Sequence, residues 1–187
     1  VDNDKRQQIV VGVWQVIAQG GIAAVSVRSV AAAAGVSAGR VQHYFATKTD
    51  LVRASVELLL EAAAEANPSA QGDPGDPQTL ERLLLHALVP ASSSKAGTSI
   101  YYCYIAASVA DPWIAEALAG AKTGLVDGVR ECLEVQHPGT PDPAAAAQHL
   151  VLLADGATQA AFLGVITADA AEALVRSAMA SVLSPGS

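Results

Sequence analysis

Between Ser26 and Asp50 the chain carries helix-boundary signals more closely spaced than an ordinary globular helix allows. Ser26 is placed to cap a helix over 27–34, and Gly35 supplies the left-handed residue that ends it. Ser37 opens a second helix over 38–44, and Thr47 with Asp50 three residues later forms a capping pair for the next. Helices this short are stable only when packed, so Val30, Ala34, Val36, Val41 and Phe45 are expected to form a shared apolar seam. Only Gly35, Val36 and Ser37 separate the pair, the three- or four-residue turn expected of a helix-turn-helix, a motif whose second helix can enter the DNA major groove.

The rest of the chain also reads as helix. Ala, Leu, Glu, Gln and Arg dominate, strand-like alternation is missing, and prolines fall mainly where helices start or stop. The pattern predicts an all-α fold of about nine helices, at 4–19, 27–34, 38–44, 48–66, 77–89, 96–109, 112–135, 142–165 and 169–183. The segments "NPSAQGDPGDP" (67–77) and "QHPGTPDP" (136–143) are breakers, the first a loop and the second a tight link. A head over 1–50 and a larger helical domain over 51–187 are the expected division.

Charge divides the chain at nearly the same place. Residues 1–53 hold six bases against three acids, whereas the remainder holds five against fifteen, within a formal net charge of -7. Such asymmetry suggests that one end meets a polyanion and the other does not. Apolar runs break well before the roughly 18 to 20 residues of a membrane span, and no signal peptide stands out. Cys103 and Cys132 have no CxxC partner, so neither a zinc site nor a disulfide framework is expected, and a reduced, cytoplasmic setting fits. Numbering starts at Val1 and not at methionine, which leaves room for a preceding arm.

The elements "SVRSVAAAAGVS", "AGRVQHYF" and "ATKTDL", after an apolar first helix, resemble the tetracycline repressor (TetR) family of bacterial transcription regulators. The resemblance is rich in motifs over residues 5–53 and beyond residue 66 rests on helix count and order. It implies that Arg40 and Gln42 read bases, that Ala38 lies near a thymine methyl, and that Ser37, His43, Tyr44, Lys48 and Arg28 hold phosphates. Small Ala38 and Gly39 would let the helix start approach the DNA closely. Packing at the junction of the first and fourth helices stays open for His43 and Tyr44, as does a solvated surface role for Arg28. Gln42 stands where the family often has tyrosine, and a glutamine there can pair bidentately with adenine. Lys48 opposes the dipole of the helix it begins, so a purpose other than helix stability is expected for it.

The same resemblance implies a homodimer formed by the last two helices, with Leu153, Gly156, Ala157, Ala160, Gly164, Leu174, Ala178 and Val182 on the pairing face. Packing within one chain is the other role open to them. It further implies a small, mostly apolar effector. Tyr101, Tyr102, Tyr104, Trp113, His86, His149, Asp155, Gln159 and Phe162 are the candidate lining, since a pocket of this kind needs apolar walls and a few placed polar groups. Asp155, mid-helix after "HLVLLA", needs a partner if it faces inward, and an exposed or pairing-face position is equally open to it. Double-stranded DNA with a palindromic operator, a small molecule and a second copy are the expected partners, with no cofactor and no metal. No G-x-S-x-G elbow, P-loop, GxGxxG or HExxH motif appears, so an enzyme is not expected. The competing readings are a helical module that binds only proteins, which would leave the basic cluster without purpose, and a small helical enzyme.

Overall fold

In the computed structural model the described residues are 2–66, 72–86, 88 and 95–183. Among them the chain forms nine α-helices: α1 (Asp2–Gly20), α2 (Val27–Ala34), α3 (Ala38–Tyr44), α4 (Lys48–Ala66), α5 (Pro77–Leu85), α6 (Lys95–Ser108), α7 (Pro112–Gln136), α8 (Pro143–Phe162) and α9 (Ala168–Leu183). One 3₁₀ turn, Ile22–Ala24, links α1 to α2. The all-α expectation holds, and most predicted boundaries lie within two residues of those observed. The end of the segment predicted over 77–89 includes residues 87 and 89, which lie outside the described residues, as do 67–71 of the predicted loop.

Helix α5 stops at Leu85, short of the predicted 89, and α8 stops at Phe162 where the sequence pattern continued to 165. Gly164 takes φ 74°, and the Val165 N–H donates back to the Ala160 carbonyl at 2.9 Å. That left-handed stop is available to glycine at no steric cost and satisfies carbonyls that the helix end would otherwise leave bare.

The contacts divide the chain into two compact units, Val1–Ala63 with Ala96–Ala119, and Ala64–Lys95 with Gly120–Ser187. In the first, Ile9, Val13 and Ile17 of α1 meet Val30 and Ala34 of α2, Val41 and Phe45 around α3, Leu51 and Val56 of α4, and Ile100, Ile114 and Leu118 of α6 and α7. Each fully buried Val, Leu or Ile contributes about 1.5–3 kcal/mol relative to exposure. The expected seam is therefore present, with Val36 as its half-buried edge.

One polar knot sits within this apolar core. The Tyr104 hydroxyl, fully buried, donates to Ser55 Oγ at 2.7 Å, and Ser55 Oγ donates to the Val52 carbonyl at 2.7 Å. Trp14 Nε1 donates to the Ser55 carbonyl at 3.0 Å. Burial pushes the Tyr104 phenol up to about 12, so it stays a neutral donor at physiological pH. The knot ties α1, α4 and α6 together.

The second unit is built from Leu80, Leu83 and Leu84 of α5, Val129, Cys132 and Leu133 of α7, a row of Ala147, Leu150, Val151 and Ala154 on α8, and Ala171 and Val175 on α9. Its charges are stapled across helices: Arg176 of α9 reaches Glu81 of α5 at 2.6 Å and Glu172 at 2.8 Å. Gln136 at the end of α7 donates to the Asp76 carbonyl at 3.0 Å, fastening the loop before α5.

The knot makes a specific prediction for chemical denaturation. Tyr104→Phe should destabilise by about 1 kcal/mol, and Ser55→Ala, which strands a buried phenol, by about 1–3 kcal/mol. The double variant strands nothing and should lose less than the sum, a coupling that additive losses would disprove.

Candidate nucleic-acid interface

The helix-turn-helix is held by reciprocal caps. Ser26 Oγ accepts from the Ser29 N–H at 3.1 Å while the Ser26 N–H donates to Ser29 Oγ at 2.9 Å. Gly35 sits at φ 64° and ends α2, and the Val36 N–H returns to the Ala31 carbonyl at 3.0 Å. Ser37 Oγ then caps α3 by accepting the Arg40 N–H at 3.2 Å. At the start of α4 the Thr47 N–H donates to Asp50 Oδ2 at 2.9 Å and the Asp50 N–H to Thr47 Oγ1 at 3.1 Å. These local bonds fix the direction in which α3 presents its side chains.

With Val41 turned into the core, α3 exposes Ala38, Gly39, Arg40, Gln42 and His43. The His43 ring stands edge-on to the half-buried Tyr44 ring, with centroids 5.2 Å apart. Ser37 and Lys48 are also exposed, and Lys48 Nζ donates to the Ala23 carbonyl at 3.3 Å. Gly39 is helical with an ordinary negative φ, and a Cβ built on it meets nothing within 4 Å. Its lack of a side chain is therefore not explained by the fold.

Cations in this unit fall into two groups. Arg53 forms a two-pronged pair with Asp111, Nε to Oδ2 at 3.1 Å and Nη2 to Oδ1 at 2.8 Å, and stacks over Trp113 at 5.5 Å. The hydrogen-bonded guanidinium holds the Asp111 carboxyl below its usual range against the opposing effect of burial. Asp111 also accepts the Trp113 N–H at 3.1 Å, capping α7. Arg6 lies over the Phe45 ring at 5.4 Å and 3.8 Å from Glu57. By contrast, Arg28 and Arg40 are exposed and form no ion pair among the described residues. Sequence reasoning missed the Arg53–Asp111 clamp. The readable signal was "DPW", an acid directly before a helix-opening proline.

The residues proposed for an effector fall in both units. In the first, Tyr101 and Tyr102 are half-buried with ring centroids 6.0 Å apart, Tyr104 belongs to the buried knot and Trp113 lies under Arg53. In the second, Asp155 is exposed and does not face inward, and at the surface it pairs with Lys122 Nζ at 2.7 Å. His86 Nδ1 lies 2.7 Å from the Leu83 carbonyl. His149 and Gln159 are exposed and Phe162 is half-buried. Cys103 is half-buried and Cys132 is buried, its thiol pushed up by desolvation. No cluster of metal-ligating residues occurs among the described residues, and no described helix is long and apolar enough to cross a membrane.

Of the residues assigned to pairing, Gly156 and Leu174 are exposed, Leu153, Ala160, Ala178 and Val182 are half-buried, and Ala157 is buried in its own unit. Gly164 forms the stop after α8. The large apolar side chains that face outward here are Leu152, Leu163, Val165 and Leu174. Sequence reasoning named Leu153 but not Leu152. One residue is about 100° of helix rotation, enough to move a side chain from the outward face to the flank.

Both ends of the chain match known families. Residues 9–55 match the family described as bacterial regulatory proteins, tetR family, and residues 76–184 match the C-terminal domain of BetI-type transcriptional repressors. The HTH-type transcriptional regulator PksA of Bacillus subtilis is 35% identical over 66 residues, which are 35% of this chain and 32% of that protein. The HTH-type transcriptional regulator BetI of Stenotrophomonas maltophilia is 34% identical over 76 residues, 41% of this chain and 39% of that protein. The matched stretch thus spans well under half the length of either relative. Among solved structures, a TetR-family transcriptional regulator from Rhodococcus sp. superposes with a TM-score of 0.81 at 22% identity, covering 97% of this chain and 100% of that one. A transcriptional regulator from Saccharomonospora viridis in complex with choline superposes with a TM-score of 0.82 at 17% identity, covering 94% and 95%. At these identities the structural likeness speaks to the fold, and the matches at both ends of the chain speak to descent: the chain belongs to the tetR family of bacterial regulatory proteins.

Proposed function

We propose that the protein is a homodimeric, cytoplasmic transcriptional repressor that reads a palindromic operator and is released from it by a small, mostly apolar effector. The observation that carries the reading is the outward face of α3, where Arg40 and Gln42 stand exposed and Arg40 has no ion-pair partner among the described residues. In this reading residues 1–50 are the DNA-binding head and 51–187 the effector and pairing domain. Arg40 and Gln42 contact bases, Ala38 and Gly39 allow close approach, and Ser37, His43, Tyr44, Lys48 and Arg28 contact phosphates. Two-fold pairing through the outward apolar side chains of α8 and α9 supplies two heads, matching half-sites about one helical turn apart.

The effector reading has two supports. The tyrosine-rich α6 holds Tyr101 and Tyr102 half-buried and close together, and the choline complex demonstrates that a protein of this fold takes up a small organic molecule. An effector shifts operator binding only by binding the DNA-competent and released states unequally. Helix α4 is the natural lever, since Leu51 is fully buried in the head core and the helix continues into the second unit.

Selection of duplexes from a random-sequence pool at near-physiological salt tests the reading directly. A palindrome is expected, and salt-labile binding without a motif would overturn it. On the selected operator Gln42→Ala should relax preference at one base pair by about 1–3 kcal/mol, whereas Lys48→Ala should weaken all sequences alike and flatten the salt slope. Gly39→Ala is expected to stabilise the free protein by about 1 kcal/mol, since glycine is a poor helix former, yet to weaken operator binding. Parallel measurements of thermal unfolding and DNA affinity would separate the two effects, and unchanged affinity would remove Gly39 from the interface.

A further inference from the structure

Helices α4 and α7 cross between the compact units well within their lengths and with opposite sequence character, whereas α6 crosses at its first residue, Lys95. Helix α4 passes the boundary at Ala63–Ala64 inside the run "EAAAEA" (61–66), built from strong helix formers. Helix α7 passes it at Ala119–Gly120 inside "AGAKTG" (119–124), which contains two glycines. Gly120 and Gly124 have ordinary negative φ, and a Cβ on either would meet nothing within 4 Å. Neither a turn nor a close approach requires them.

Anchors on both sides bracket this segment. Toward the N-terminus, Asp111 and Trp113 are clamped by Arg53, and Ile114 and Leu118 are buried in the first core. Toward the C-terminus, Lys122 pairs with Asp155 of α8, Leu125 and Val126 pack against the second core, and Val129 is fully buried in it. Between Leu118 and Lys122 lie Ala119, Gly120 and Ala121, all exposed. A continuous helix is thus fixed at both ends to different bodies and is weakest where it passes from one to the other, because glycine gains most entropy when the helix opens.

We infer that α7 is built to flex at Gly120–Gly124, so that the α6–α7 corner travels with the DNA-binding head while distal α7 stays with the second unit. The clamp and the polar knot fasten that corner to α4 and α1, which makes the head-side body larger than the helix-turn-helix itself. Bending then falls on the glycines of α7, with α4 as the stiffer of these two helices.

Hydrogen exchange on the full chain tests the weakness without needing DNA or an effector. Amides 120–125 should exchange about tenfold or more faster than those at 114–118 and 129–134, and Gly120→Ala combined with Gly124→Ala should slow them by a similar factor. Uniform protection along α7 would overturn the inference. A second readout separates flexing from local fraying: spin labels on Ala18→Cys and Glu131→Cys in a Cys103→Ala background, diluted with unlabelled chain. The distance distribution should be broad and should narrow when both glycines become alanine, and an unchanged width would equally overturn the inference.

Discussion

The head depends on one backbone turn. Helices α2 and α3 have eight and seven residues, too few to persist in water by their own hydrogen bonds. They exist because Gly35 reverses the chain in a conformation that costs glycine little and because Ser26 and Ser37 satisfy the first amides of each. The turn also sets the crossing at which Val30 and Val41 are both fully buried. Once that crossing is set, the outward face of α3 follows from helical geometry. A side chain forced in at Gly35 would therefore disturb base reading without touching a residue that reads bases.

Electrostatics in the first unit sort by commitment. Arg6 and Arg53 each pair with an acid and lie over an aromatic ring, so they serve packing between helices. Arg28 and Arg40 have no such pairing among the described residues and keep their full field at the surface. A bare count of bases over residues 1–53 merges these two kinds. Geometry separates those that hold the head together from those that can meet phosphate.

Much of this was legible because the information is local. Caps, the left-handed glycine and the apolar periodicity of α1 to α4 are encoded within a few residues, and the predicted bounds of α2, α3 and α4 coincide with the observed ones. The Gly164 stop was local too, but it lay within a run of small residues whose pattern suggested continuation. Illegible features were those with partners far along the chain. Arg53 with Asp111, Tyr104 with Ser55 and Lys122 with Asp155 are separated by 58, 49 and 33 residues. No periodicity within one helix reports such a pairing. Tyr104 illustrates the limit: a tyrosine in an aromatic cluster reads as pocket lining, whereas here its hydroxyl satisfies a buried serine in the core of the first unit.

The two tryptophans of the chain have an unequal distribution. Trp14 lies in α1, bonded to the backbone of α4, and Trp113 lies in the first turn of α7 under Arg53, so both belong to the unit that carries the helix-turn-helix. The second unit contains none. Indole emission from this protein is therefore a native optical probe of one body alone. A molecule bound wholly within the other would alter that emission only by changing the surroundings of indoles it does not touch.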